Sequence, residues 1–176
     1  MVESKPSSAA HQHRRDAVKQ VAAVVLTVSD TRTLETDTGG KLLAELLTGA
    51  GHWVVSRAIA PDDPAAIEKA TREALAREDV QAVLLTGGTG VAPRDVTPET
   101  VEPLLERVVP GFGELFRMLS YEDIGSAALL SRALAGIAGG KVVFVLPGSR
   151  GAVRLALEKL VLPELGHLAA EAIKTR

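Results

Sequence analysis

The chain contains no cysteine, so disulfides, thiolate metal sites and cysteine nucleophiles are excluded. Asparagine is also absent; either a heat-stable protein or a GC-rich genome produces that bias. Only five residues are aromatic (Trp53, Phe112, Phe116, Tyr121 and Phe144), too few for a platform that stacks single-stranded bases. The net charge is -2, so no general basic field draws in nucleic acid. No apolar run approaches the roughly 18 residues of a membrane span. The first residues lack the apolar core of a secretory signal, and a cytoplasmic protein is expected. The four histidines, His11, His13, His52 and His167, show no metal-ligand spacing.

What is present is an ordinary globular balance, 46% apolar and 24% charged, over 176 residues, enough for one domain with its own core. Residues 1–18 are polar and read as a solvated leader, and residues 19–176 as a single domain. Val21–Val28 is a continuous apolar run rich in β-branched residues, as in strands covered on both faces. Gly39–Gly49 carries leucines at helical spacing. Trp53–Ile59 reads as a strand. Pro64–Arg77 reads as a helix capped by Asp63. Val80–Leu85 is a third strand, and Thr97-Pro98-Glu99 opens a helix with Thr97 as its hydroxyl cap. Helices are expected over Gly111–Ser120 and Ile124–Leu134, then a strand over Lys141–Leu146, a helix from Ser149 and a last helix from Pro163. Strand and helix alternating at this pitch give right-handed crossovers, hence an α/β fold with a mainly parallel sheet.

In such a sheet the parallel strands end at one edge, where ligands bind. The segments that follow the strands are small, polar or glycine-bearing: Thr27-Val28-Ser29-Asp30, Pro61-Asp62-Asp63, Thr86-Gly87-Gly88-Thr89-Gly90 and Pro147-Gly148-Ser149. The glycine loop lets backbone N–H groups approach an anion, although no Lys-Ser/Thr follows it as in a P-loop. Arg94 and Asp95 stand beside it. Asp62 and Asp95 are candidate Mg²⁺ ligands facing a phosphate cradle; a surface aspartate and a local Asp95–Arg94 ion pair are the plainer alternatives. Ser149 either caps its helix or holds a phosphate. Ser29 and Asp30 either cap the first helix or line the site, and Ser131-Arg132 either faces inward or forms a polar helix face. His52 begins its strand, at the opposite edge, so a histidine general base is disfavoured.

The run Thr86-Gly-Gly-Thr-Gly-Val-Ala-Pro-Arg-Asp-Val-Thr-Pro-Glu99 closely resembles the signature of the MoaB/Mog family of molybdenum cofactor biosynthesis. Thr27-Val-Ser-Asp30, Asp37-Thr38-Gly39, Pro110-Gly-Phe-Gly-Glu-Leu-Phe-Arg117, Ser131-Arg132 and Leu146-Pro-Gly-Ser149 extend the likeness from Val21 to the C-terminus. The stretch Phe116–Gly125 resembles the B-type branch. The resemblance implies a three-layer α/β/α domain and a molybdopterin adenylyltransferase. In that reaction AMP passes from Mg-ATP to the terminal phosphate of molybdopterin, with release of pyrophosphate; the alternative is a non-catalytic molybdopterin-binding or scaffold protein. It also implies Mg²⁺ at Asp62 and Asp95, the catalytic pair. Thr86, Gly87, Gly88, Thr89, Gly90, Pro147, Gly148 and Ser149 would hold nucleotide and phosphate. Ser29, Asp30, Arg94 and Ser131 would bind the pterin or line the site. A homo-oligomer, trimer or hexamer, is expected, with a molybdenum insertase receiving the product. Leu115, Phe116, Leu119, Ile124, Leu129 and Leu130 offer apolar surface for either the oligomer or the core.

Overall fold

A computed structural model of the chain describes residues 18–174. The expected leader over residues 1–18 lies outside them, apart from Val18, whose N–H donates to the Gly166 carbonyl at 3.0 Å. The strands are β1 (Ala22–Val28), β2 (Trp53–Ala60), β3 (Ala82–Thr86), β4 (Arg107–Val108), β5 (Leu134–Ala138) and β6 (Lys141–Leu146). They form one sheet in the order β2-β1-β3-β6-β5-β4. The pairs β1–β2, β1–β3 and β3–β6 are parallel. β5 runs antiparallel to β6 and to β4. The sheet is therefore mainly parallel, with one reversed strand.

The helices are α1 (Thr38–Gly49), α2 (Pro64–Leu75), α3 (Thr97–Val101), α4 (Pro110–Ile124), α5 (Arg150–Ala156) and α6 (Leu162–Ala172). A π-helical turn, Leu157–Val161, joins α5 to α6. Alternate residues of the central strands face opposite cores, as a period of two requires. Val25, Leu84 and Phe144 pack with Leu43 of α1, Phe116 of α4, Val153 of α5 and Leu165 of α6. Val24, Leu85 and Val143 pack on the other face with Ile67 of α2 and Val101 of α3. This is the expected three-layer arrangement. Each fully buried leucine or isoleucine contributes roughly 1.5–3 kcal/mol.

Local chemistry sets the helix starts. Asp63 caps α2, its carboxylate accepting the Ala66 N–H at 3.0 Å, with Pro64 at the first helical position. Asp37 caps α1 by accepting the Gly40 N–H at 2.8 Å. Thr97 differs from the expectation. It is the first residue of α3, preceded by Val96, and its buried hydroxyl makes no capping bond.

The helix expected over Ile124–Leu134 is corrected more deeply. A 3₁₀ segment, Gly125–Leu130, is followed by strand β5. The stretch is apolar enough for either element, and pairing along β6 decides it, from Leu134 opposite Val145 to Ala138 opposite Lys141. Gly136 is required there: an added Cβ would lie 2.6 Å from Leu105 Cδ1 and 2.5 Å from the Arg107 carbonyl oxygen. Ser131 and Arg132 consequently sit in the segment entering a strand, not on a helix face.

Candidate functional site

β1 feeds α1 on one face of the sheet, and β2 returns through α2 on the other to reach β3 on β1's far side. The chain thus departs in opposite directions from the adjacent C-terminal ends of β1 and β3. Such a switch point leaves a crevice for a ligand. The segments 29–37 and 87–96 border it.

Gly87 makes the crevice possible. Its φ is +108°, and an added Cβ would overlap the Val28 carbonyl, so only glycine lets the two strand ends close up. Thr86, buried at the end of β3, donates its hydroxyl to the Pro147 carbonyl at 3.0 Å and so ties the segment after β6 to the same edge. Gly88, also at positive φ, presents its Cα to Asp62, whose Oδ1 would stand 3.2 Å from an added Cβ. At Gly90 an added Cβ would be 2.6 Å from Asp95 Oδ2. The two predicted carboxylates therefore both lie against one glycine loop.

Asp62 and Asp30 are locked together. The Asp30 N–H donates to Asp62 Oδ2 at 3.2 Å, and the Asp62 N–H donates to Asp30 Oδ1 at 3.0 Å. Arg94 forms an ion pair with Asp30, not the pair with Asp95 that the sequence offers as the plainer alternative to a metal role. Asp95 instead closes its own loop, accepting the Ala92 N–H at 2.9 Å. Burial, then the charge of Asp30, push the Asp62 carboxyl above the usual range, with Asp95 adding to the rise; the Asp30 N–H and Arg94 oppose it.

Of the remaining expected residues, five line one or other of two cavities, and Thr89, Pro147 and Ser149 line neither. Ser29, Thr86, Gly87 and Gly148 line one of about 190 Å³, together with Arg32, Asp37 and Thr38. Ser29 caps neither helix; its Oγ accepts the Thr31 and Arg32 N–H groups at 3.3 Å each. Ser149 does cap α5, its Oγ accepting the Ala152 N–H at 3.2 Å. Ser131 lies apart from this group. It lines a second cavity of about 400 Å³ with Glu99, Glu102, Arg117 and Arg132, and its buried Oγ has no hydrogen-bond partner. Arg132 connects the two regions: it bonds to Glu99 and the Asp95 carbonyl, and donates through Nε to the Thr89 carbonyl at 3.4 Å. His52 is at the opposite edge, as expected, where its Nδ1 accepts the Val21 N–H at 3.2 Å.

Three residues of this region escaped the sequence reading as site residues: Asp37, Arg57 and Arg32. Asp37 is buried and accepts the Thr27 hydroxyl at 2.8 Å and Arg57 Nη2 at 3.0 Å. The signal for Asp37 was its place just before α1, as an N-cap. Nothing local marks Arg57, which reaches it from β2.

A family model described as "Probable molybdopterin binding domain" matches residues 24–167. The chain belongs to the MoaB/Mog family. Among MoaB proteins it is 56% identical over 161 residues to "Molybdenum cofactor biosynthesis protein B" of Bacillus anthracis, covering 91% of this chain and 95% of the relative. A crystal structure of molybdenum cofactor biosynthesis protein B superposes with a TM-score of 0.86 at 57% identity, over 89% of this chain and 98% of that one. The MoaB of Thermus thermophilus, described as a molybdopterin biosynthesis enzyme, gives a TM-score of 0.77 at 38% identity, over 86% and 96% of the two chains. The MoaB resemblance noted from Phe116–Gly125 agrees with these matches. The chain is thus a MoaB protein of molybdenum cofactor biosynthesis, and the crevice between β1 and β3 lies within the matched domain. No helix among the described residues is long and apolar enough to cross a membrane.

Proposed function

We propose that this MoaB protein is a molybdopterin adenylyltransferase, moving AMP from Mg-ATP to the terminal phosphate of molybdopterin. The observation that carries the reading is the placement of Asp62 and Asp95 against the same Gly87–Gly90 loop at the switch point. An oxygen of the terminal phosphate attacks the α-phosphorus of ATP. A new P–O bond forms there, the bond to the pyrophosphate oxygen breaks, and pyrophosphate leaves. Such transfers rest on positioning and charge neutralisation, so the protein need supply no nucleophile of its own.

The donor set suits Mg²⁺. The described residues hold no ready-made cluster of three acidic or histidine ligands. Mg²⁺ is usually held by one or two carboxylates, with phosphate oxygens and water completing its shell. Asp62 and Asp95 would hold it, and when bound it would neutralise charge on the phosphates. Gly88, Thr89 and Gly90 would lie along the nucleotide phosphates, with Pro147, Gly148 and Ser149 closing the opposite wall. Asp30 and Arg94 fix the position of Asp62, and Ser131 would take part in holding the pterin from the second cavity. The product would pass to a molybdenum insertase.

A homo-oligomer, trimer or hexamer, completes the proposal. Leu115, Met118, Tyr121 and Ile124 on α4, and Leu129 and Leu130 beyond it, are all exposed, a concentration unusual on a lone chain. Phe116 belongs to the core and Leu119 is half-buried, so only part of the expected apolar set remains available. Pyrophosphate release on mixing the protein with molybdopterin, ATP and Mg²⁺ tests the reaction. Molybdopterin binding without pyrophosphate would identify the non-catalytic binding protein instead.

A further inference from the structure

We propose that Arg32 receives the phosphate monoester of the acceptor substrate, in the 190 Å³ cavity that Gly87 lines and that neither Asp62 nor Asp95 lines. The identity of the acceptor rests on the adenylyl-transfer reading; the phosphate site itself rests on the charges and the cavity.

The two sides of the Gly87–Gly88 turn differ in charge. One side gathers Asp30, Asp62 and Asp95 with Arg94 as the paired cation. A phosphate arriving there without a metal meets net negative charge. On the other side Arg32 is the one cation lining the cavity, and the one carboxylate there, Asp37, is already compensated. Asp37 accepts from the Gly40 N–H, the Thr27 hydroxyl and Arg57. Arg94, Arg57 and Arg132 each have a carboxylate partner, whereas Arg32 has none among the described residues. It is nevertheless positioned. Its N–H is held by Ser29 Oγ, and its Nη1 donates to the Thr36 carbonyl at 3.3 Å.

Size agrees with charge. A cavity of about 190 Å³ is smaller than the ~300–1,000 Å³ that enclose a whole drug-sized ligand, and it suits one anionic group. A guanidinium can give two parallel N–H bonds to a phosphate. Two oxygens are then held, and the third stays free to attack the α-phosphorus across the glycine turn. The metal-bearing polyphosphate is thereby directed to the acidic side, and the metal-free monoester to Arg32.

The test uses the intact protein and inorganic phosphate, titrated calorimetrically without nucleotide or Mg²⁺. Wild type should bind phosphate, Arg32→Gln should weaken binding about tenfold or more, and Arg32→Lys should fall between. Unfolding temperatures should not change, because Arg32 is exposed. In turnover assays Arg32→Gln should raise KM for molybdopterin and leave KM for Mg-ATP unchanged. Wild type that binds no phosphate, equal affinity in Arg32→Gln, or a rise in KM for Mg-ATP alone would each overturn the assignment. Arg32-dependent phosphate binding in a protein that releases no pyrophosphate would uphold the site and overturn the transferase reading.

Discussion

Asp30 and Asp62 are 32 positions apart, yet each backbone N–H donates to the other's carboxylate, at 3.2 and 3.0 Å. The exchange joins the ends of β1 and β2 and holds two negative groups together. That arrangement costs stability, and a bound cation would relieve it.

Asp62→Asn should therefore not destabilise the ligand-free protein. Burial and Asp30 raise the folded-state value of Asp62 above the unfolded 3.8. The folded form then takes up the proton first, so ionised Asp62 opposes folding at neutral pH, and the penalty fades as pH falls through the raised value. At neutral pH the variant should unfold at the same or a higher temperature than wild type, with the gap narrowing toward about pH 4. Adenylyl transfer should fall by about 10²–10³. Thermal melts across pH, paired with pyrophosphate release, check both. A variant with normal turnover would remove Asp62 from the chemistry.

Asp95 separates loop closure from transfer. Its Oδ2 accepts the Ala92 N–H, and an amide oxygen can do the same. Asp95→Asn should keep the fold and lose turnover. Asp95→Ala should also lose the bond, worth about 1 kcal/mol, and speed amide exchange over Gly90–Val96. Equal exchange in the two variants would contradict this division.

Asp37→Ala should be the most damaging single change near the site. It removes the cap of α1 and strands Arg57, whose side chain is 24% exposed. Partial exposure of Arg57 tempers the loss of the pair, and about 3 kcal/mol is expected in total. For a domain of this size that is a fall of roughly 6–12 °C in Tm. A smaller effect than that of a surface substitution would mean the pair is mechanically idle.

His52 predicts acid sensitivity at the far end of the sheet. Burial holds its imidazole below the ordinary 6.5. The folded protein takes up this proton later than the unfolded chain, so stability is lost as pH falls from 6.5 toward the lowered value. The Val21 N–H also loses its acceptor on protonation. His52→Gln, which retains an acceptor, should flatten the fall in Tm between neutral pH and about pH 5.5. An unchanged slope would assign the effect elsewhere.

The exposed apolar face is tested by mass. Light scattering of the wild-type protein at micromolar concentration should give a trimer or hexamer. Ile124→Glu combined with Leu129→Glu should lower the mass without unfolding the chain, since both side chains are exposed. A wild-type monomer would refute the proposed assembly.

Much of the scaffold was legible because it is written locally. The apolar runs of β1, β3 and β6, the Asp63-Pro64 start and the glycine loop each carry their signal within a few residues. What escaped depends on distance. Arg94 meets Asp30 from 64 positions away, and Arg57 reaches Asp37 from 20. β5 escaped because Leu134-Ala-Gly-Ile-Ala138 has no alternation, and its glycine is explained only by the neighbouring strand.

β5 runs against its neighbours, so the segment that leads into it, rather than one that follows it, arrives at the ligand edge. Leu134 lies opposite Val145, close to where β6 ends. Arg132 thereby touches the glycine loop from a stretch that lies outside every parallel crossover. Residues 125–133 lie outside the connections that build the parallel sheet. Changes of length over 125–130 would reshape the second cavity, and Arg132, bonded to the Asp95 carbonyl, would carry any shift of 131–133 to that carboxylate's loop. Within this architecture, the second cavity and the carboxylate loop are joined through a single side chain, Arg132.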